Sequence, residues 1–122
     1  MTKLELIKKI QDRRKDIGIS INNLSKISQV STKTISKVSV KISTLEKITK
    51  VLGLDSLGNE IISIETLNEK RAEEKALYIV SLVQDTSSLE MQGLDINELN
   101  ILIDNTKKQF LTGKYKNTLW VN

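Results

Sequence analysis

The chain has 122 residues, enough for one domain or for one small domain with a helical extension. It contains no Cys and no His, which excludes disulfides, thiolate nucleophiles, imidazole bases and the usual zinc ligand sets. The net charge of +4 is unevenly divided, because residues 1–55 carry +7 and residues 56–122 carry −3. This division suggests two partners or two tasks, with ordinary solvated surface charge as the alternative.

Residues that break helices are sparse. The chain has no Pro and only five Gly, and it lacks strand-like alternation and hairpin turns. The sequence therefore predicts an all-α fold. The first helix is expected from Lys3 to Ile17, followed by Gly18 as its stop. Leu4, Ile7, Ile10 and Arg14 are predicted to lie on one stripe of this helix, at helical spacing.

Two short helices are predicted next, each opened by a serine cap. Ser20 is expected to cap a helix from Ile21 to Ser28, and Ser31 is expected to cap a third helix from Thr32 to Val38. Short helices are marginal alone and depend on packing. The residues predicted to supply that packing are Leu24, Ile27, Val30, Ile35 and Val38.

A fourth helix is predicted from Thr44 to Leu52. Ser43 and Glu46 have the spacing of a capping box at its start, and Gly53 is expected to end it. The polar stretch Asp55–Asn59 follows as a candidate linker. We therefore predict two domains, residues 1–55 and residues 56–122.

The second half is expected to contain two longer helices. The first is predicted from Leu67 to Gln92, with Gly93 as its stop, although Asp85–Ser88 has a composition that interrupts helices. The second is predicted from the cap at Asp95 through Leu111. The predicted apolar faces comprise Ala76, Ile79, Val80 and Val83 on the first helix, and Ile96, Leu99, Leu102, Ile103 and Phe110 on the second. Trp120, in the tail, packs either on its own chain or on a partner.

The block of residues 20–38, with its two capped helices and tight turn, resembles the lambda-repressor/Cro-like helix-turn-helix domain of phage repressors and bacterial regulators. The resemblance covers residues 4–54, under half of the chain. The residues that carry it are Arg14, Gly18-Ile19-Ser20, Leu24, Val30-Ser31, Thr34-Ile35-Ser36, Leu45, Ile48, Leu52 and Gly53. The sequence departs from the family at Ile21, Gln29 and Ser39, where a polar residue, a glycine and a glutamate are common.

The resemblance implies that the third helix enters the major groove of DNA. Its outward face carries hydroxyls and ammonium groups and no acid, which suits base edges and phosphates. The positions expected to contact bases are Thr32, Lys33, Ser36 and Lys37. The positions expected to contact phosphates are Ser31, Asn22, Asn23 and Lys41.

We interpret the chain as a sequence-specific, double-stranded-DNA-binding transcriptional regulator, a homodimeric repressor in which residues 56–122 form a helical dimerisation extension. The alternative for that extension is two helices that only pack back on the N-terminal domain. The alternative function is an antitoxin whose acidic half binds a partner toxin. We expect no enzyme, no catalytic residue, no cofactor and no metal site.

The expected location of the protein is the cytoplasm. No apolar run approaches the roughly 18 residues that a membrane span needs. The N-terminus also lacks the apolar stretch of a signal peptide. We therefore expect no membrane partner.

Overall fold

The computed structural model describes residues 2–35, 41–89 and 95–122, with the backbone alone for residues 83–89. The prediction of an all-α fold is confirmed, because these residues form helices and contain no strand beyond one isolated bridge between Leu54 and Glu60. The α-helices are α1 (Lys3–Ile17), α2 (Ile21–Ser28), α3 (Thr32–Ile35), α4 (Ile42–Val51), α5 (Ile64–Leu89) and α6 (Ile96–Leu111). A single 3₁₀ turn, Lys116–Thr118, follows α6.

The chain divides into two compact units. The N-terminal unit comprises the residues up to Leu67 together with Trp120–Asn122, and the C-terminal unit comprises Asn68–Leu119. The division falls within α5, beyond the predicted linker Asp55–Asn59. Trp120 packs against the hydrophobic core of the N-terminal unit, which answers the question that the sequence left open for this side chain.

The segment predicted as a linker is an ordered turn. The Asp55 carboxylate accepts hydrogen bonds from the backbone N–H groups of Leu57 and Asn59, both at 2.9 Å. The bond from the Asn59 N–H is the main reason that the pKa of Asp55 lies below its usual value. Lys9 adds a 3.4 Å hydrogen bond to the Asn59 side chain, so this turn is tied to α1.

The core of the N-terminal unit is aliphatic, which agrees with an aromatic content of only 3% in the chain. It draws buried side chains from α1, α2, α3 and α4 and from the segments that follow α1, α2 and α4. Its members are Leu6, Ile10, Ile19, Leu24, Val30, Ile35, Leu45, Ile48, Leu52 and Leu54. Ile27 is only half-buried, and Val38 lies outside the described residues.

The predicted stripe of α1 is only partly buried. Ile10 is buried, Ile7 and Arg14 are half-buried, and Leu4 is 62% exposed. The buried stripe instead runs through Leu6, Ile10 and Arg13, at the four-and-three spacing that places residues on one face of a helix. The sequence therefore contained a second helical stripe, and the packing of α1 against the other helices selects it.

Arg13 is the polar residue that this stripe carries into the interior. Its Nε donates to the carbonyl of Leu52 at 2.9 Å, and its Nη2 donates to the carbonyl of Ile62 at 2.5 Å. Its Nη1 lies 3.1 Å from the Glu60 carboxylate. The guanidinium thus satisfies carbonyls at both ends of the turn that follows α4, and its burial is compensated by hydrogen bonds.

The helix caps were predicted with mixed success. The Ser20 hydroxyl accepts from the N–H of Asn23 at 3.1 Å, and the Asp95 carboxylate accepts from the N–H of Glu98 at 2.7 Å, so both caps are confirmed. The capping box of Ser43 is wrong, because α4 begins at Ile42 with Lys41 as its cap. Ser43 therefore lies inside the first turn of the helix.

Gln29 ends α2 in the left-handed conformation, with φ of 61° and ψ of 31°. This conformation crowds the Cβ atom of any residue other than glycine. Gln29→Gly is therefore expected to raise the free energy of unfolding by about 0.5–1 kcal/mol, since the strain relieved exceeds the added entropy of the unfolded chain. Urea unfolding checks this. A lower stability for the glycine variant would show that the Gln29 side chain makes a compensating contact.

The C-terminal unit is built on two helices. Helix α5 begins at Ile64, one turn before the predicted start, because the Ser63 hydroxyl accepts from the N–H of Thr66 at 3.1 Å. Its backbone continues through Asp85–Ser88 without interruption. The buried apolar side chains described in this unit are Ala72, Ala76, Val80, Phe110 and Leu119.

The predicted apolar face of α6 is only partly covered. Phe110 is buried, Leu99, Leu102 and Ile103 are half-buried, and Ile96 is 76% exposed. The predicted end of α5 at Gln92 and Gly93 and the side chain of Val83 lie outside the described residues.

Candidate nucleic-acid interface

Helices α2 and α3 are held together by a three-residue turn and a shared core. The turn is closed by the N–H of Val30, which donates to the carbonyl of Ser25 at 3.2 Å. Leu24 of α2 and Ile35 of α3 are 0% and 1% exposed, so each helix is anchored by a fully buried side chain. Both anchors belong to the same core, whereas Lys33 of α3 is exposed.

Ser31 caps α3 as predicted. Its hydroxyl accepts from the N–H of Thr34 at 3.2 Å and lies 2.6 Å from the Thr34 hydroxyl. A hydroxyl has one donor and two acceptor sites. The two hydroxyls thus lie together at the start of α3.

Of the four predicted base-contacting residues, two lie in the described part of α3. Lys33 is exposed, and within the described residues it forms no ion pair with a carboxylate. Thr32 is half-buried and already takes part in an interaction within the chain. Ser36 and Lys37 lie outside the described residues. Among the residues predicted to contact bases, Lys33 is therefore the lysine that the described part of α3 presents to solvent.

The remaining predicted phosphate contacts lie where helices begin. Asn22 is exposed and Asn23 is half-buried, both in the first turn of α2, and the backbone of Asn23 is engaged by the Ser20 cap. Lys41 is exposed and precedes α4 without a side-chain hydrogen bond to the helix. Helix starts carry partial positive charge, which adds to the charge of the Lys41 ammonium.

Arg14 stabilises the junction between α1 and α2 by hydrogen bonds. Its Nη1 donates to the carbonyl of Ile19 at 2.8 Å, and its Nε donates to Gln11 at 3.0 Å. In the lambda-repressor/Cro-like family that the sequence resembles, some members carry a glutamate at the position of Ser39 that pairs with this arginine. Position 39 lies outside the described residues. Sequence reasoning missed the structural role of Arg13, although its spacing from Leu6 and Ile10 was a usable signal.

The surface of the N-terminal unit carries an excess of cations. Residues 1–55 hold 12 Lys and Arg against 5 Asp and Glu. The exposed members of this set are Lys8, Lys15, Lys26, Lys33, Lys41, Lys47 and Lys50. In the described part of the chain, the single ion pair is that of Arg13 with Glu60. The exposed lysines therefore supply a positive field that attracts polyanions.

Within residues 2–35, 41–89 and 95–122, carboxylates do not gather in a group of three or more that could hold a metal ion. Within the same ranges, every helix is too short or too polar to cross a membrane.

Comparisons with protein-family models, with curated proteins and with solved structures found no match to this chain.

Proposed function

We propose that this chain is a sequence-specific DNA-binding transcriptional regulator that acts as a homodimeric repressor. One observation carries the proposal: α3 is anchored by the buried Ile35 while Lys33, on the same short helix, is exposed and without an acidic partner. The excess of +7 over residues 1–55 supports the same function, since phosphate attraction supplies most non-specific affinity for DNA.

In this proposal residues 4–54 form a lambda-repressor-like helix-turn-helix domain, and the third helix lies in the major groove. Lys33 and Lys37 donate to guanine, Thr32 and Ser36 contact neighbouring base edges, and Ser31 and Lys41 position the domain on phosphates. Repression follows from occupancy of a promoter and requires no chemical step.

The homodimer places two such helices in successive major grooves, about 34 Å apart. The C-terminal unit supplies the contact between the two copies. Sedimentation equilibrium of the full chain tests this part of the proposal. A species of one-chain mass at the concentration that saturates DNA would contradict it.

Lys33→Ala is expected to lower the preference for a selected DNA sequence over a scrambled duplex by about 5–150-fold, because a good lysine–base contact is worth about 1–3 kcal/mol of discrimination. The preferred duplex is first selected from a random pool with the wild-type chain. Both affinities are then measured at one salt concentration by fluorescence anisotropy.

The matched control is Lys8→Ala, which removes the same charge from an exposed position on α1. We expect Lys8→Ala to weaken both duplexes equally and to leave the preference unchanged. An unchanged preference in the Lys33 variant would show that α3 does not read the bases.

A second candidate function, that of an antitoxin, is favoured by an apolar patch on α5. Leu77, Tyr78 and Leu82 are 47%, 66% and 50% exposed and lie on adjacent turns of one helix. Exposed apolar patches of this kind are typical of protein-binding surfaces. Co-expression with the product of the adjacent gene tests this function: a complex that Tyr78→Asp disrupts would support it, and separate elution of the two proteins would exclude it.

A further inference from the structure

The acidic half of the chain ends in a basic segment. Residues 56–104 carry three Lys and Arg against ten Asp and Glu, whereas residues 105–122 carry four Lys and no acidic residue. Lys107 and Lys108 lie in the last turns of α6, and Lys114 and Lys116 lie beyond its end. The four lysines are therefore grouped around the end of one helix, and we call them the tail lysines.

The tail lysines are available for an external partner. Lys108, Lys114 and Lys116 are exposed and Lys107 is half-buried, and among the described residues none of the four pairs with a carboxylate. Lysines at the end of a helix are commonly explained by the helix dipole. That explanation accounts for Lys107 and Lys108 but not for Lys114 and Lys116, which follow the helix.

The backbone that carries the last two tail lysines is fixed in place. The Gln109 side chain accepts from the N–H of Lys114 at 3.2 Å, and the Gln109 carbonyl accepts from the N–H of Tyr115 at 3.0 Å. The Tyr115 ring lies 5.3 Å from the ring of Phe110, and the Lys114 ammonium lies 5.1 Å above the Tyr115 ring. Ordering these groups in advance reduces the entropy lost on binding.

Two further cations lie beside this segment. Arg71 donates to the carbonyl of Leu119 at 3.0 Å, and Lys75 donates to the carbonyl of Thr118 while its ammonium lies 5.4 Å from the centre of the Phe110 ring. The pKa of Lys75 is lowered by burial and then by the positive charge of Arg71. Arg71 and Lys75 thus add two cations beside the tail lysines, with the Glu74 carboxylate acting on Arg71.

We propose that the tail lysines form a second contact surface for the phosphates of double-stranded DNA, separate from the α3 face. The inference rests on the proposed function, which makes DNA the polyanion that the protein meets. Lysine ammonium groups bind phosphate as point charges without reading sequence. The surface therefore adds affinity and not specificity.

An anionic membrane fits this surface less well. Peripheral membrane binding combines cations with apolar side chains that insert between lipids. Most large apolar neighbours of the tail lysines are covered, because Phe110 and Leu119 are buried and Trp120 packs against the core of the N-terminal unit. Tyr115 is 38% exposed, but its ring lies against Phe110 and beneath the Lys114 ammonium. DNA, which needs only the charges, is the partner that the arrangement favours.

The test is the salt dependence of binding by the full-length double variant Lys114→Ala/Lys116→Ala. Each phosphate contact contributes about 0.9 to the slope of log affinity against log salt concentration. We expect the double variant to lower this slope by about 2 on the selected duplex and on a random duplex, and to keep the preference between them. The control Lys70→Ala, which removes an exposed lysine on α5, is expected to keep the wild-type slope.

Equal slopes for the wild type and the tail variant would overturn the proposal. Two other results would also overturn it. In the first, the wild type binds vesicles containing phosphatidylserine, and the variant loses this binding while its DNA binding is unaffected. In the second, the variant dissociates from dimer to monomer while its DNA binding per chain is unchanged.

Failure of the proposed function itself is distinguishable. In one outcome, selection yields no preferred sequence while the tail variant still lowers the salt slope on a random duplex. That result would support the phosphate contact of the tail lysines and refute sequence-specific regulation. If the wild-type chain binds no duplex at about 0.05 M salt, where phosphate contacts are strongest, both are refuted.

Discussion

Arg13→Met is expected to lower the free energy of unfolding by about 3 kcal/mol. The loss comes from the carbonyls of Leu52 and Ile62, which remain near the interior while their charged donor is removed. Each hydrogen bond to a charged group is worth about 1.5–3 kcal/mol, and an unsatisfied buried acceptor adds a desolvation cost. The Glu60 pairing adds little, because that carboxylate is 54% exposed and solvent screens it.

Urea unfolding followed by circular dichroism measures this loss. Lys15→Met, at an exposed position on the same helix, is the matched control and is expected to change stability by less than about 0.5 kcal/mol. Glu60→Gln is expected to cost less than about 1 kcal/mol. Similar stabilities for the Arg13 and Lys15 variants would show that solvent replaces the guanidinium hydrogen bonds.

Ile35→Ala is expected to cost about 2–4 kcal/mol of stability, and Ile35→Val about 1 kcal/mol. Ile35 is fully buried and is the anchor that holds the described part of α3 on the core. A helix this short cannot persist without packing. We therefore expect the alanine variant to lose its preference for the selected duplex even at a temperature where the rest of the protein is folded.

Ile10→Ala provides the control for this second effect. Ile10 is equally buried in the same core but lies on α1. It is expected to lose similar stability and, while folded, to keep the wild-type sequence preference. If Ile10→Ala and Ile35→Ala reduce the preference equally, then α3 has no special role in DNA recognition.

The sequence by itself determined where most helices begin and end. Gly18, Ser20 and Asp95 act through hydrogen bonds and backbone conformations within one turn of their own position, so their neighbours along the chain suffice to predict them. The exposure of Ser31 and Lys33 was also predictable, because Ile35 is the strongly apolar residue of their short helix. Ser36 and Lys37 remain predictions.

The tertiary structure alone decided which of two stripes α1 buries and what the polar residue in that stripe contacts. Arg13 finds its carbonyl partners 39 and 49 positions further along the chain. The tertiary structure also decided that residues 55–59 form a turn bonded to α1 and that α4 begins before Ser43. Helical periodicity specifies an angle around one helix, but burial depends on elements that only the folded chain brings together.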